Sequence, residues 1–204
     1  MAQLLTIHPR NPQPRLIAMA AAALEEGGLI AHPTDTTYAL GCHMNNKQGV
    51  ETLYRLKKKS LDRPLSYICA DLSHISEYAQ VTDHAYQIMR RLLPGPYTFV
   101  LPARKSAPRL TQTKRKTIGI RVPQDAACHA LLVRLGSPMI STSAKLETGE
   151  LLENAEQIAK YFGHELAYIL DIGPIYPEPS TIIGMETEEA VILREGKGSV
   201  ADLF

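Results

Sequence analysis

The decapeptide His32–Gly41, HPTDTTYALG, constrains this chain more than any other stretch. It follows an apolar run, Gly28–Ala31, that is typical of a buried strand. In open α/β sheets, ligands bind in the crevice outside the carboxyl ends of the strands. A strand that leads into a turn-like segment of three threonines, an aspartate and a tyrosine is therefore a candidate ligand wall. The alternative is a polar loop in which Asp35 caps the local backbone.

The composition is that of a soluble globular protein. The 204 residues are 45% hydrophobic and 21% charged, and the formal net charge of +1 creates no global field that would attract nucleic acid or a membrane. The three cysteines are dispersed, which indicates reduced thiols in a cytosolic protein. No signal-peptide pattern is present, and the longest apolar block, Ile17–Leu24, is too short to span a bilayer. We therefore expect a cytoplasmic protein that has no membrane partner.

Strand and helix patterns alternate over the first two thirds of the chain, which indicates an α/β fold. Some neighbouring strands lack a helix between them, so the pattern predicts a mixed, twisted sheet in one domain, residues 1–204. Helices are predicted at Asn11–Glu26, Asn46–Lys58, Thr82–Leu93, Asp125–Leu135 and Asn154–Phe162. Strands are predicted at Leu4–Ile7, Leu29–Pro33, Leu65–Cys69, Tyr97–Leu101, Thr117–Val122, Met139–Ser143, Ala167–Asp171, Ser180–Gly184 and Ala190–Leu193.

A basic run follows the second predicted helix. It contains Arg55, Lys57, Lys58, Lys59 and Arg63, with Asp62 as its one acid. One interpretation is a solvated surface whose cations compensate the helix dipole. The other is a site that binds a polyphosphate or a nucleic acid, in which lysine acts as a mobile point charge.

A second basic segment, Lys114–Lys116, enters the predicted strand Thr117–Val122. Alternation places Thr117, Gly119 and Arg121 on one face of that strand. An arginine beside a glycine indicates a planar or anionic ligand close to the backbone. The alternative is an edge strand that its charges protect from aggregation.

Hydroxyl groups and arginine recur at other strand ends, in Ser141–Ser143, Ser180–Thr181 and Arg194. This recurrence fits a site for an anion with many oxygen atoms. The GxxxxGK[ST], GxGxxG, HExxH and GxSxG motifs are absent, which disfavours those nucleotide, zinc and serine-hydrolase sites. The histidines show no ligand spacing, so no metal site held by the protein is predicted, and His32 is interpreted as structural.

Five segments together resemble the YrdC/YciO family, and specifically its YciO branch. HPTDTTYALG is similar to the family's PT[ED]TxYGLG stretch, and TIGIRVP, STSA, PSTII and LREG follow in the family's order. The resemblance covers about residues 5 to 200. It implies a twisted mixed sheet curved around a basic, concave cavity.

The resemblance also implies an activity, the synthesis of threonylcarbamoyl-AMP from L-threonine, bicarbonate and ATP with Mg²⁺, for the modification of tRNA. Thr36 and Arg121 would contact L-threonine, with Ser141 and Ser180 facing it. The nucleotide would contact Lys57, Lys59, Thr117, Ser143 and Arg194. The two lysines are the expected catalytic residues, because positioning and charge neutralisation suffice for this chemistry.

Two positions depart from the family pattern. Lysine replaces arginine at Lys59, in the KxR pair, and lysine replaces asparagine at Lys145, in the SxN pair. These changes remove a bidentate fork and a hydrogen-bond acceptor, so slow catalysis is expected. The alternative is a non-catalytic protein that binds double-stranded RNA or the ribosome through the same cavity. Its RNA contacts would be Arg55, Lys58, Lys114, Arg115, Lys116 and Lys145.

Overall fold

A computed structural model describes residues 1–57, 65–73, 75–187 and 189–201. The predicted sites at Lys58 and Lys59 lie outside these residues. Within them the strands are β1 Gln3–Thr6, β2 Leu29–His32, β3 Ala39–His43, β4 Ser66–Ile68, β5 Tyr97–Pro102, β6 Thr117–Arg121, β7 Met139–Ser143, β8 Tyr168–Asp171, β9 Thr181–Gly184 and β10 Val191–Arg194. These strands form one mixed sheet with the order β1-β8-β2-β3-β7-β4-β6-β5-β9-β10. The helices are α1 Pro14–Glu25, α2 Lys47–Leu56, α3 Ile75–Tyr78, α4 Asp83–Leu92, α5 Ala126–Leu135 and α6 Ala155–Phe162.

The helices begin where polar side chains can cap them. The side chains of Asn46, Thr82, Asp125 and Asn154 each accept a hydrogen bond from the backbone N–H three residues further on. These caps confirm the predicted starts of four helices. The first helix starts at Pro14 rather than at Asn11, because proline is favoured at the first helical position.

The two faces of the sheet are covered differently. Helices α2, α3, α4 and α6 pack on one face, in a core that contains Leu40, Tyr67 and Phe99. Helices α1 and α5 pack on the opposite face, in a smaller core that contains Ile30 and Ile68. The predicted mixed α/β sheet is confirmed. Helices α1 and α5 leave part of the second face uncovered, and the candidate functional site lies there.

Two local predictions differ from the structure. The sequence predicts no strand at Ala39–His43, but β3 occupies these residues and pairs with β2 and with β7 in the sheet interior. Its residues are buried on both faces, so it lacks the alternation that marks a half-buried strand. The edge-strand interpretation of β6 is wrong, because β6 lies between β4 and β5.

Three further features complete the description of the fold. The segment Arg104–Lys116 is a connection that contains one 3-10 turn, Arg109–Thr111. The three cysteines are free and buried, as expected for small apolar residues. Among the described residues, none of the helices has the length and hydropathy that crossing a bilayer requires.

Candidate functional site

A cavity of about 840 Å³ lies on the uncovered part of the second face. Its floor is made of small and hydroxyl-bearing residues that the strand register brings side by side. Gly119 of β6 lies opposite Ser66 of β4 and Val100 of β5. A Cβ atom at Gly119 would lie 3.3 Å from the Ser66 Oγ, so glycine at this position keeps the floor open. The described lining residues are Lys57, Ser66, Thr98, Val100, Thr113, Lys114, Arg115, Thr117, Gly119, Thr142, Ser143, Lys145, Ile182, Glu186, Leu193 and Arg194.

The cavity is strongly cationic. Its described lining contains Lys57, Lys114, Arg115, Lys145 and Arg194 against one carboxylate, Glu186. These cations come from segments far apart in sequence, and the fold concentrates them on one side of a protein whose net charge is only +1. A cavity lined by one sign of charge attracts ligands of the opposite sign. The lining therefore favours a polyanion.

Arg121 forms the centre of a buried cluster at the end of β6. Its Nη2 donates to Asp35 Oδ1 and to Thr36 Oγ1, each at 2.9 Å. The Arg121 and Asp35 side chains are each 9% exposed, and burial lowers the pKa of the guanidinium while Asp35 opposes that shift. The Nε atom of Arg121 is buried and has no hydrogen-bond partner among the described residues. A buried donor without a partner lowers the stability of the folded protein, so a ligand oxygen that accepts from Nε would stabilise the cluster.

The turn Thr34–Thr37 holds Asp35 and Thr36 in place. The Thr34 hydroxyl accepts from the backbone N–H of Thr36 and of Thr37, and it donates to the Thr37 carbonyl oxygen at 2.6 Å. Asp35 Oδ2 also accepts from the N–H of Gln124. Asp35 therefore binds distant residues, and the alternative of a local cap is wrong.

Ser180 connects this cluster to the cavity. Its hydroxyl lies 2.7 Å from the Thr98 Oγ1, and Thr98 also lines the cavity. Arg194 Nη2 donates to the Ser180 carbonyl oxygen at 2.6 Å, and partial burial lowers the pKa of this guanidinium. The segment around Glu178 donates its N–H to the Thr36 carbonyl oxygen. Thr36 and Ser180 thus belong to neighbouring walls of one site.

Ser141 lies deeper in the sheet. It is 1% exposed, and its Oγ contacts both His32 Nε2 and the Leu40 carbonyl oxygen at 2.9 Å. Burial lowers the pKa of His32 to about 4, so the ring is neutral at pH 7. Gly41 makes room for that ring, since a Cβ there would lie 3.3 Å from it. The interpretation of His32 as structural agrees with this packing.

Thr117 lies at the start of β6, whereas Arg121 ends that strand, and Ser143 ends β7. Thr117 is buried, and its hydroxyl lies 2.8 Å from the Thr113 Oγ1 in the turn that precedes β6. Lys116 occupies a left-handed conformation in that turn, with φ of 58°. Lys57 donates through Nζ to the Lys145 carbonyl oxygen, which joins the end of α2 to the segment after β7.

The structure brings most of the predicted site residues together and separates two of them. Arg55 pairs with Glu165 at 2.9 Å, and neither Arg55 nor Lys116 is among the described lining residues. The sequence predictions missed Ser66 and Thr98. Neither residue belongs to a recognisable motif, because each lies in a strand whose sequence is typical of an apolar core. Only the strand register shows that they face the cavity.

Comparisons with known proteins identify the family. The family model for Sua5, YciO and YrdC, described as "Telomere recombination", matches residues 22–196. The chain belongs to this family. An uncharacterized protein of Haemophilus influenzae is 41% identical over 98% of this chain and 99% of its own length. A threonylcarbamoyl-AMP synthase of Vibrio vulnificus is 32% identical over 85% of this chain and 95% of its own length.

Two solved structures of family members have the same fold. The crystal structure of YciO from E. coli has a TM-score of 0.95 at 37% identity and covers 100% of both chains. The structure of P. abyssi Sua5 complexed with L-threonine has a TM-score of 0.89 at 26% identity, with 96% of this chain and 58% of that chain covered. The predicted family and fold are confirmed.

The residues do not fit a Mg²⁺ ion held by the protein itself. The described part of the chain contains no group of three or more His, Cys, Asp or Glu that could hold a metal ion. Glu186 is the one carboxylate among the described lining residues of the cavity. Mg²⁺ binding to proteins uses one or two carboxylates together with substrate phosphates. Glu186 together with the phosphates of a bound nucleotide could hold Mg²⁺, while the lysine and arginine side chains of the lining can neutralise the remaining negative charge of a polyanion.

Proposed function

We propose that this protein is a threonylcarbamoyl-AMP synthase, which converts L-threonine, bicarbonate and ATP into threonylcarbamoyl-AMP, pyrophosphate and water. One observation carries the proposal: the buried Arg121–Thr36 pair lies beside a cavity lined by cations, and the Arg121 Nε has no hydrogen-bond partner in the described part of the chain. The pair suits the carboxylate of an amino acid, and the cavity suits a triphosphate. The names of the Vibrio vulnificus relative and of the P. abyssi structure, which holds L-threonine, support the same assignment.

The two substrates would occupy different ends of the site. L-threonine would contact Thr36, Arg121 and the neighbouring Ser180, with Ser141 behind them. The nucleotide would extend over Thr117, Ser143 and Arg194, with its phosphates near Lys57. Lys59, which lies outside the described residues, is proposed to act beside Lys57.

The reaction needs no nucleophilic side chain. The amine of L-threonine attacks the carbon of bicarbonate, water leaves, and a carbamate forms. A carbamate oxygen then attacks the α-phosphorus, and pyrophosphate leaves as the bond between the α- and β-phosphates breaks. The protein orients the reactants and neutralises the charge on the leaving pyrophosphate, and Lys57 and Lys145 line the cavity where this charge would develop. We assign no step to Mg²⁺.

Pyrophosphate release by the purified protein tests the proposal. The complete mixture contains ATP, Mg²⁺, bicarbonate and L-threonine, and each component is omitted in turn. Release that requires both L-threonine and bicarbonate is the expected result. An R121M variant should lose this release, while a K105M variant, which changes an exposed lysine outside the cavity, should keep it. The absence of L-threonine-dependent release from the wild-type protein would overturn the proposal.

Recognition of double-stranded RNA is a second candidate function. Lys114, Arg115 and Lys145 are exposed at the cavity, where they could contact phosphates of a larger ligand. Lys116, Arg55 and Lys58 are proposed to extend this contact. Affinity should then fall steeply as salt rises, because bound phosphates release counterions. Competition between double-stranded RNA and ATP would indicate a shared cavity, and RNA affinity that does not depend on salt would overturn this candidate.

A further inference from the structure

The segment after β10 packs tightly against the walls of the site. We call residues 194–199 the C-terminal arm. Gly196 N donates to Thr181 Oγ1 at 3.0 Å, and Thr181 Oγ1 donates to the Gly198 carbonyl oxygen at 2.6 Å. Lys197 N donates to the Pro179 carbonyl oxygen at 2.9 Å. The backbone at Lys197 is therefore fixed on both sides.

Both glycines of the arm are required for this close packing. A Cβ at Gly196 would lie 2.1 Å from the Pro179 carbonyl oxygen, and a Cβ at Gly198 would lie 2.4 Å from the ring of Tyr97. A side chain at either position would therefore require a shift of the backbone at Pro179 or of the Tyr97 ring. The arm thus holds Lys197 at a defined place beside Ser180 rather than in a free tail.

From that place the Lys197 side chain reaches across to the turn Thr34–Thr37. Its Nζ donates to the Asp35 carbonyl oxygen at 2.5 Å. The carboxylate of the same Asp35 pairs with Arg121, whose Nη2 also donates to Thr36. Lys197 and Arg121 therefore hold Asp35 from two directions, one through the backbone and one through the side chain.

We propose that Lys197 is a positioning residue of the amino-acid subsite. Its ammonium group fixes the peptide of Asp35, and through that peptide it fixes the Thr36 hydroxyl and the Asp35 carboxylate against Arg121. Without this contact the turn has more freedom, and ordering it on binding costs affinity for the amino acid. This inference rests on the proposed function, since it assigns the subsite to L-threonine.

The variant K197M removes the ammonium group and keeps an unbranched, apolar side chain. The affinity for L-threonine, measured by calorimetry, should fall about threefold, because Lys197 is exposed and a contact from an exposed ammonium group contributes only modestly. The affinity for ATP should change less than about twofold, since the cavity cations remain in place. K197R retains a donor and should restore most of the L-threonine affinity. K105M, at an exposed lysine outside the cavity, is the matched control.

Amide hydrogen exchange gives a readout that does not depend on any ligand. The N–H groups of Thr36 and Thr37 donate to the Thr34 hydroxyl, so exchange at both should be faster in K197M than in the wild type and in K105M. Unchanged exchange, or an equal loss of L-threonine and ATP affinity, would overturn the proposal. If the wild-type protein binds no L-threonine, the proposed function fails, and the exchange experiment alone decides whether Lys197 positions the turn.

Discussion

The charges of Arg121 and Asp35 are both buried, and each stabilises the other. Each side chain is 9% exposed, so neither charge is well solvated without the other. We expect R121M to lower the free energy of unfolding by about 3 kcal/mol, because it leaves the Asp35 carboxylate buried without its partner. The double variant D35N/R121M should recover part of this loss, since neither charge remains. Urea unfolding measures both values, and a double variant less stable than R121M would contradict the explanation.

His32 makes the stability depend on pH in a defined window. Burial lowers the pKa of His32 from 6.5 to about 4, so between these values the unfolded chain binds a proton that the folded protein does not. Stability is therefore complete above pH 6.5 and is lost as the pH falls toward 4. From pH 7 to pH 5, His32 should contribute a loss of about 2 kcal/mol.

The variant H32Q removes this titration. The loss of unfolding free energy between pH 7 and pH 5 should be about 2 kcal/mol smaller in H32Q than in the wild type. H84Q, which changes an exposed histidine on α4, is the control and should keep the wild-type pH dependence. An identical pH dependence in H32Q and the wild type would show that His32 is not the titrating group.

The sequence predicted several residues of the site, but it did not predict which of them contact one another. The residue patterns pointed to the hydroxyl-rich turn as a whole and to Arg121 on its strand, whereas Thr36 was singled out only by the resemblance to the family. The Thr36–Arg121 contact joins residues 85 positions apart, and the Thr98–Ser180 contact joins residues 82 positions apart. Such pairs depend on strand register, which no local pattern contains.

At the scale of elements, strand β6 contributes to both faces of the sheet. Ile118 and Ile120 pack in one core, while Thr117 and Gly119 line the cavity on the other face. A Cβ at Gly119 would lie 3.3 Å from Ser66 Oγ and 3.5 Å from Thr98 Cγ2, so alanine is tight and valine must extend into the cavity.

We expect G119V to weaken ATP binding at least about tenfold by filling space on the cavity floor. G119A should have a smaller effect, since one methyl group fits with a small shift of Ser66. Calorimetry measures the affinities, and the melting temperature of each variant shows whether it folds. Undiminished ATP affinity in a folded G119V would exclude Gly119 from the binding surface.

Some helices and strands could be predicted from local sequence patterns alone, and others could not. Helices α4, α5 and α6 were predicted to within about one residue of their ends because a capping side chain marks each start. Strand β3 could not be recognised, since a strand buried on both faces has no alternation. The short helix α3 was missed, because four residues are too few to show a helical period.

In the whole molecule, one face of the sheet contributes mainly to the hydrophobic core, and the other face also forms the binding cavity. One face carries the larger core, and the other is covered by helices α1 and α5 over one part and left open as the cavity over another. The alternation of strand and helix patterns could predict an α/β fold, but a net charge of +1 gives no sign of a cationic cavity. The binding property thus depends on where the fold places the charges rather than on how many there are.

This distinction can be tested with two double variants that change the net charge equally. K114Q/K145Q removes two cations of the cavity, and K105Q/K160Q removes two exposed lysines outside it. At low salt, K114Q/K145Q should weaken ATP binding about tenfold, because each lysine contributes about 0.5 to 1 kcal/mol to a partly exposed contact with phosphate. K105Q/K160Q should stay close to the wild type.

Salt should also separate the two variants. Raising the ionic strength screens the cavity cations, so the wild-type affinity for ATP should fall, and the affinity of K114Q/K145Q should fall less. L-threonine affinity should stay the same in both variants, because neither lysine belongs to the Arg121 cluster. Equal effects of the two double variants on ATP would mean that net charge, and not the cavity, determines nucleotide binding.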